Sequence, residues 1–509
     1  MSRSAYATMA IATATIVAAQ SVAAQSSSLT FISATKARTV LAAALQAVGG
    51  LDAIETLPTI TREYVVDLTN RGQLDRPLAP NERQRPNVQQ IMQIRDYRTG
   101  SAIDVSSGVI PGGQPWANRV VLRGDTSFSY QYDVGILQRA LPALVTARRA
   151  RMESEEIESL LRSAWRYRGS GAPRWLGSAR VAGRSADVVS FTDAGQSTRS
   201  IYIDSETHLP LMMETVQDDP IRGDVANQTM YSDWRPANSV KIPYKIENRL
   251  NDDSQSITRL VAVRFGPVDD SLWRVPPDTF VAPAPPTDPI AIGGDAFVIP
   301  NSYQSAFVMF DDYVLVLEPG GSPAAARSTI AAAKRAAPGK PIRYVVATHA
   351  HYDHLAGVRE YIAIGATIVT TPRAKSIIER AATASHTLIP DDLSANPRAS
   401  IIETFTDDSR VFRDANHEVR LYNLGPTPHV EAMLFAYIPA SRTLFEGDAL
   451  DIPEPGHVGI GGEDTEQLAR RIAELNLDVD RIVPVHGRIG TLSDLKTAVG
   501  KRRSANVPR

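Results

Sequence analysis

A proline-rich stretch near the middle of the chain restricts how the chain can fold. Residues 275–289 read VPPDTFVAPAPPTDP. Proline lacks a backbone N–H and has a fixed φ, so such a run disfavours helices and sheet ladders and favours an extended spacer. The chain has 509 residues, which is more than one ordinary hydrophobic core contains. We therefore predict two domains, residues 30–273 and 290–509, joined by a linker at residues 274–289.

The hydrophobic patterns differ on the two sides of this linker. Helical periodicity before the linker predicts helices at residues 36–48 and 136–167. The β-rich runs in the same region predict strands, at residues 119–122, 127–132, 186–191, 200–203 and 257–265. After the linker, strand and helix patterns alternate, at residues 324–336, 344–347, 421–424 and 465–475. The first domain is therefore predicted to be β-rich (α+β) and the second to be a layered α/β domain.

Composition narrows the function classes. Hydrophobic residues make up 43% and charged residues 22% of the chain, as in soluble globular proteins. The 54 basic and 56 acidic residues give a formal net charge of -2, which argues against a nucleic-acid partner and favours a small-molecule substrate. The chain has no cysteine, so disulfides and thiolate ligands are excluded, and a metal ion would have to be held by histidine and carboxylate groups.

The first residues have the pattern of a secretory signal peptide. Arg3 precedes the apolar, alanine-rich run 9–19, and the small residues of SVAAQ follow at 21–25. The apolar run is shorter than the roughly 18 to 20 residues that a membrane-spanning helix needs. We predict that residues 1–24 are cleaved and that the mature protein is periplasmic or secreted, with no integral membrane segment.

Four side chains of the types that bind metals lie within a short segment after the apolar run 344–347. These are His349, His351, Asp353 and His354, in the sequence THAHYDHLAG. A tight loop at the end of a strand can aim alternate residues at one point. His349 and His351 can then share one metal ion while Asp353 and His354 face a neighbouring one. Each tetrahedral zinc ion would still need a further ligand from elsewhere in the chain.

Three candidates for these further ligands follow predicted strands: His429, Asp448 and His486. Of the remaining histidines, His386 and His417 are expected at the surface. His457 lies in a glycine-rich loop shortly after Asp448, and we interpret it as a candidate substrate contact.

The order of these residues resembles the metallo-β-lactamase superfamily, in which an HxHxDH motif is followed by a lone histidine, an aspartate and a final histidine. The resemblance spans residues 291–495 and implies an αββα sandwich with two Zn²⁺ ions at one edge, although manganese and iron suit the same ligand types. It implies a first metal bound by His349, His351 and His429, a second bound by Asp353, His354 and His486, and Asp448 bridging both.

The resemblance also implies a hydrolase in which a hydroxide that bridges the metals attacks a carbonyl carbon, with Asp353 orienting the hydroxide and moving its proton. True zinc β-lactamases carry cysteine or serine at the position of Asp448, whereas lactonases, thioester hydrolases and phosphodiesterases of the superfamily carry aspartate. The expected substrate is an ester, lactone, thioester or lactam. One alternative is a phosphodiesterase or sulfatase, and another is a hydrophobic-ligand-binding protein with a vestigial metal site.

The first domain resembles the half-barrel of periplasmic lipoprotein carriers, through the segments IDSETHLP at 203–210, YSDW at 231–234 and VKIP at 240–243. The resemblance implies a curved sheet around a helix, with an apolar concavity that could take an acyl part of the substrate. The alternative is a purely supporting domain. Because every candidate ligand follows the linker, a fragment that begins near Ile290 is expected to bind metal by itself.

Overall fold

The computed structural model describes residues 28–68, 88–110, 112–166, 172–192, 197–276, 279–284 and 286–505. The predicted signal peptide, residues 1–24, lies outside these residues. None of the helices in these ranges combines the length and the apolar character that crossing a bilayer requires.

The N-terminal region is β-rich, as predicted. Its described residues form four α-helices, namely α1 (Leu29–Ala47), α2 (Leu51–Glu55), α3 (Pro142–Glu155) and α4 (Ile157–Arg166). Its strands are β1 (Ile60–Leu68), β2 (Val88–Asp96), β3 (Ser101–Val109), β4 (Pro115–Arg123), β5 (Thr126–Gln131), β6 (Ile136–Arg139), β7 (Arg174–Val181), β8 (Arg184–Thr192), β9 (Thr198–Asp204), β10 (Pro210–Asp219), β11 (Gly223–Ala237), β12 (Val240–Leu250), β13 (Asp253–Phe265) and β14 (Phe280–Val281). They form one 14-stranded sheet in the order β14-β6-β5-β4-β3-β2-β1-β13-β12-β11-β10-β9-β8-β7.

Helices α1, α2 and α4 share a hydrophobic core with this sheet. The buried face of α1 includes Leu41 and Ala44, which pack in one cluster with Leu160 of α4 and Ile201 of β9. Salt bridges are also buried between the sheet and the helices: Arg62 contacts Glu158, and Nε of Arg95 lies 2.7 Å from Glu156. The helices are therefore held against this sheet partly by apolar packing and partly by paired charges.

The predicted helix at 136–167 was wrong in its first part. Residues Ile136–Arg139 form strand β6, which pairs with β5, and the helices begin only at Pro142. Proline is favoured at the first position of a helix because it has no N–H to leave unpaired there. The linker also contains a strand, since Phe280–Val281 pairs in parallel with Ile136–Leu137.

The C-terminal region contains two sheets. The first has seven strands in sequential order: β15 (Ile290–Gly293), β16 (Ala296–Ile299), β17 (Ser305–Met309), β18 (Val314–Leu317), β19 (Ile342–Val346), β20 (Thr367–Thr370) and β21 (Ile401–Thr404). The second has six: β22 (Ser409–Arg413), β23 (Glu418–Asn423), β24 (Leu434–Ile438), β25 (Thr443–Glu446), β26 (Arg481–Pro484) and β27 (Gly490–Thr491). The helices are α5 (Pro323–Ala336), α6 (Tyr352–Leu355), α7 (Val358–Ala363), α8 (Pro372–Thr383), α9 (Asp392–Ala395), α10 (Glu463–Glu474) and α11 (Leu492–Ser504).

Three apolar clusters define the layers of this region. Strand residues such as Leu315 and Phe445 meet in a core that both sheets share. A second core joins the seven-stranded sheet to α5, α7 and α8, and a third joins the six-stranded sheet to α10 and α11. The strands are apolar on both sides because each sheet packs against its partner on one face and against helices on the other.

Candidate metal centre

The seven predicted ligands follow four strands of the two C-terminal sheets. His349 and His351 lie in the loop after β19, and Asp353 and His354 lie in the short helix α6 that follows. The other three come from the six-stranded sheet: His429 follows β23, Asp448 follows β25 and His486 follows β26. The two sheets are linked at this point by a hydrogen bond from the N–H of Leu434 to the carbonyl of Thr348 (2.8 Å).

The carboxylate of Asp448 lies at the centre of the cluster. Its Oδ2 faces one group of imidazoles, at 2.8 Å from Nε2 of His429, 3.5 Å from Nε2 of His349 and 3.9 Å from Nδ1 of His351. Its Oδ1 faces the other group, at 2.9 Å from Nε2 of His354 and 3.1 Å from Nε2 of His486. Asp353 completes this second group, with Oδ2 at 4.0 Å from Nε2 of His354. The structure thus brings all seven residues together, and their role as ligands stays a prediction.

Neighbouring groups orient the imidazole rings. Oγ1 of Thr348 lies 3.0 Å from Nδ1 of His349, and Oε1 of Glu318 lies 3.4 Å from Nδ1 of His354. In both rings Nε2 therefore points toward Asp448. Gly447 allows this close packing, because a Cβ at that position would lie 3.0 Å from Oγ1 of Thr348 and 3.2 Å from Nδ1 of His349. Sequence reasoning missed Glu318, which lies at the end of β18 and is fully buried.

The charges around Asp448 favour the ionised form of its carboxyl group. Burial lowers the pKa of His349 well below its ordinary value, and the charge of His354 acts in the same direction. Burial alone would raise the pKa of Asp448, but the nearby charges of His354 and His486 outweigh it and hold that pKa well below the usual range. For His354, the charges of Asp448 and Glu318 outweigh burial and raise the pKa. The central carboxylate is therefore ionised, as a cation site requires.

Two further carboxyl groups border the cluster. Burial raises the pKa of Asp451 to about 6, against the opposing charge of His486. Burial also raises the pKa of Asp464 to about 6, against the opposing charge of His429. Neither residue was predicted from the sequence: Asp464 is distant along the chain from His429, and Asp451, although only three residues after Asp448, belongs to no recognised motif.

Tyr303 is another residue of the site that sequence reasoning missed. Its ring meets the His486 ring edge to face, with centroids 4.8 Å apart, and lies 6.3 Å from the His354 ring. Gly321 leaves room for it, since a Cβ at 321 would lie 2.5 Å from the Tyr303 ring. Burial, and then the charge of Asp353, raise the pKa of the Tyr303 hydroxyl, so it stays protonated at neutral pH. A single tyrosine in a loop carries no sequence signal of this role.

The three other histidines of the C-terminal region have partners outside the cluster. The predicted surface position of His386 was wrong: it is 5% exposed, and its Nδ1 lies 2.6 Å from Oδ1 of Asp218 in the N-terminal sheet. His417 is also mostly covered, between carboxylates of Asp414 and Asp295. The ring of His457 stacks on Phe280, with centroids 4.3 Å apart. Its role as a substrate contact stays a prediction.

Unpartnered polar atoms show whether a metal suits this cluster. Among the residues that the structure describes, Nε2 of His349 and both ring nitrogens of His351 are buried without a hydrogen-bond partner. Each such atom costs about 1–3 kcal/mol unless something satisfies it. One donor atom from each of His349, His351, His429 and Asp448 lies within 4.8 Å of the others, and the same holds for Asp353, His354 and His486. Imidazole and carboxylate groups at these distances fit a bound metal.

Comparison with known protein families finds a match in the C-terminal region. Residues 299–486 match the sequence model of the metallo-beta-lactamase superfamily. No curated protein matches the chain.

Several solved structures resemble the C-terminal region. TMB-1 is 16% identical, with a TM-score of 0.32 over 44% of this chain and 99% of its own. DIM-1 metallo-beta-lactamase is 15% identical, with a TM-score of 0.33 over 44% of this chain and 100% of its own. The sec-alkylsulfatase Pisa1 from Pseudomonas sp. is 10% identical, with a TM-score of 0.31 over 43% of this chain and 41% of its own. Together, the family match and the cluster of histidines and aspartates identify residues 299–486 as a metallo-beta-lactamase superfamily domain, which supports a metal-dependent hydrolase.

Proposed function

We propose that this protein is a periplasmic or secreted binuclear zinc hydrolase that acts on an ester, lactone, thioester or lactam. The observation that carries the proposal is the position of Asp448, whose two oxygens face two separate groups of ligand-type side chains. One carboxylate between two such groups is the arrangement expected for a bridging ligand. Aspartate at this position, rather than cysteine or serine, favours the ester, lactone and thioester substrates over lactams.

Two zinc ions bound there would lower the pKa of a water molecule toward about 7 and polarise a carbonyl oxygen. The chain's own residues supply the remaining chemistry. The Asp353 carboxylate orients the attacking water and accepts its proton. The protonated hydroxyl of Tyr303, beside His486 and Asp353, donates a hydrogen bond to the leaving group. Thr348 and Glu318 hold the rings of His349 and His354 in the required orientation.

We further propose that the C-terminal region is an αββα sandwich and that the N-terminal sheet is a half-barrel that contributes to substrate choice. A cavity of about 400 Å³ opens on that sheet. Its lining is apolar in part, with Tyr64, Ile91 and Met213, but it also includes the charged pair Arg62 and Glu158. A cavity with this mixed lining suits an acyl chain that carries a polar group.

The test is a hydrolysis screen of the purified full-length protein with matched esters, lactones, thioesters, lactams, phosphodiesters and sulfate esters. We expect turnover of carbonyl substrates that chelator abolishes and that added zinc restores. Turnover of phosphodiesters or sulfate esters alone would favour the alternative on the same metal site. Metal-independent turnover, or none with any substrate, would contradict the proposal. The mass of the mature N-terminus from a periplasmic extract tests the predicted cleavage after residue 24.

A further inference from the structure

The turn of the β10–β11 hairpin, residues 219–223, inserts from the N-terminal sheet into the C-terminal region. Ile221 at its tip is 4% exposed and belongs to the apolar core that lies between the seven-stranded sheet and its helices. Gly223 passes so close to Ser385 that a Cβ at 223 would lie 2.1 Å from the Ser385 carbonyl oxygen, and its φ is +78°. The turn is therefore built into the C-terminal core.

Polar contacts fix the insertion on both sides of the turn. Before it, Oδ1 of Asp218 lies 2.6 Å from Nδ1 of the buried His386. After it, the N–H of Asp224 donates to the carbonyl of Ser385 (2.7 Å). The Asp224 carboxylate in turn accepts hydrogen bonds from the N–H groups of Thr387 (2.8 Å) and Leu388 (3.0 Å). The position of the hairpin relative to the C-terminal region is thus determined by several independent contacts.

This insertion places Arg222 next to the loop 349–354, which carries four of the predicted metal ligands. The Arg222 guanidinium lies 4.1 Å from the centre of the Tyr352 ring, in the geometry of a cation–π contact. Asp219 holds the guanidinium from the other side, with Oδ2 at 3.2 Å from Nη1 of Arg222. Tyr352 follows His351 and precedes Asp353, and these two belong to different ligand groups. A shift of the Tyr352 ring would therefore move one ligand of each group.

We propose that Arg222 is a positioning residue, through which the N-terminal sheet holds the loop 349–354 in its metal-binding conformation before any metal binds. The inference rests on the proposed metal site. It assigns to the N-terminal region a part in building that site, although the region supplies none of the predicted ligands. A partner that orients a ligand affects metal affinity by about 10-fold to 100-fold, which sets the scale of the expected effect.

A second contact also joins the N-terminal region to a segment beside the predicted metal ligands. The carbonyl of Gly112 accepts hydrogen bonds from the N–H of Glu463 (3.1 Å) and from Nη1 of Arg502 (3.0 Å). Glu463 is the first residue of α10, and its neighbour Asp464 faces His429. A fragment that begins near Ile290 would lose both contacts, so under this inference it should bind zinc more weakly than the full-length protein.

The test compares three variants of the full-length protein: Arg222→Ala, Arg222→Lys and the control Arg235→Ala. Arg235 has the same types of partner within the N-terminal sheet, since its guanidinium lies 4.5 Å from the Tyr244 ring and pairs with Asp233, although its side chain is more exposed than that of Arg222. Lysine can also place a cation over an aromatic ring, so Arg222→Lys should recover most of the lost function.

Two measurements decide the outcome. Hydrogen exchange of the chelator-treated protein measures how stably the loop 349–354 is folded, and it requires neither bound metal nor activity. A titration with a competing chelator measures the affinity for zinc. We expect Arg222→Ala to exchange faster in this loop and to bind zinc about 10-fold more weakly, while Arg235→Ala matches the wild type. Equal exchange and equal zinc affinity in the Arg222→Ala and Arg235→Ala variants would overturn the inference. Failure of the proposed function would look different. The wild type would then show no turnover, but hydrogen exchange in the loop 349–354 would still depend on Arg222.

Discussion

Nε2 of His354 and Nε2 of His486 lie 3.3 Å apart. Both atoms also lie close to Oδ1 of Asp448, at 2.9 Å and 3.1 Å. Two imidazole nitrogens at this separation can bind a common cation, and the pKa values of both rings are raised above their ordinary value. Burial opposes these pKa shifts, and the Asp448 charge outweighs it in both rings. A bound metal ion would displace the protons that these raised pKa values favour on the two rings.

The first prediction concerns metal content. We expect elemental analysis of protein purified with zinc to give about two zinc ions per chain, because seven ligands are too many for one tetrahedral ion. His486→Ala should lower the content to about one, since it removes a ligand of one group only. A wild-type content of one or none would contradict the binuclear site.

The second prediction concerns the ligands. His349→Ala and Asp353→Ala should each lower turnover by orders of magnitude, because the first removes a metal ligand and the second also removes the proton acceptor. All five tryptophans of the chain precede residue 290, so tryptophan fluorescence reports the fold of the N-terminal region and should not change. His208→Ala, in an exposed turn far along the chain from the site, is the control. Turnover within a few-fold of the wild type would place the chemistry elsewhere.

The third prediction concerns the leaving group. Tyr303→Phe keeps the ring against His486 and removes only the hydroxyl. We expect turnover of alkyl esters to fall by about 100-fold, which is the lower end of what a positioned proton donor contributes. The loss for nitrophenyl esters should be much smaller, because their leaving group needs little assistance. Zinc content should not change. An equal loss for both kinds of ester would show that the hydroxyl does not act on the leaving group.

The fourth prediction concerns the buried ion pair of Arg62 and Glu158. Each side chain is 2% exposed. Arg62→Ala leaves the Glu158 charge buried without its main partner and should lower the free energy of unfolding of the N-terminal region by about 3–5 kcal/mol. Urea unfolding followed by tryptophan fluorescence measures this change. Arg259→Ala breaks an exposed pair with Asp67 and should cost about 1 kcal/mol or less. Similar losses in the two variants would contradict the argument from burial.

The fifth prediction concerns pH. Burial lowers the pKa of His417, but hydrogen bonds to Asp295 and Asp414 outweigh it and raise that pKa above its ordinary value. A raised pKa in the folded state means that the stabilisation is fully present below about pH 6.5, the unfolded value, and is lost as the pH rises through the folded pKa. Thermal unfolding of the wild type and of His417→Gln should therefore differ most below pH 6.5 and converge at higher pH. A difference that does not vary between pH 5.5 and 9 would contradict this assignment.

Sequence patterns predicted most of the local structure, because strands such as β8 and helices such as α5 have strong periodicity. The candidate ligands could be identified from the sequence, because histidines are rare in this chain and the order of the histidines and aspartates resembles that of a known superfamily. These are the motif at 349–354 and the residues His429, Asp448 and His486. The contacts of Glu318, Tyr303 and Arg222 could not, because each depends on a neighbour that is distant in the chain. The strand at Ile136–Arg139 was missed because helical periodicity in the following residues extended across it.

The pairing of Phe280–Val281 with β6 shortens the free connection between the two regions. Beyond this pairing the regions are connected by the stretch from Val281 to Ile290, which at about 3.5 Å per residue could span at most roughly 30 Å. The two faces that meet at the β10–β11 turn are thereby held at an effective concentration of millimolar order. Dilution of the protein would not separate them, and a second copy could compete for the same face only at comparable concentrations.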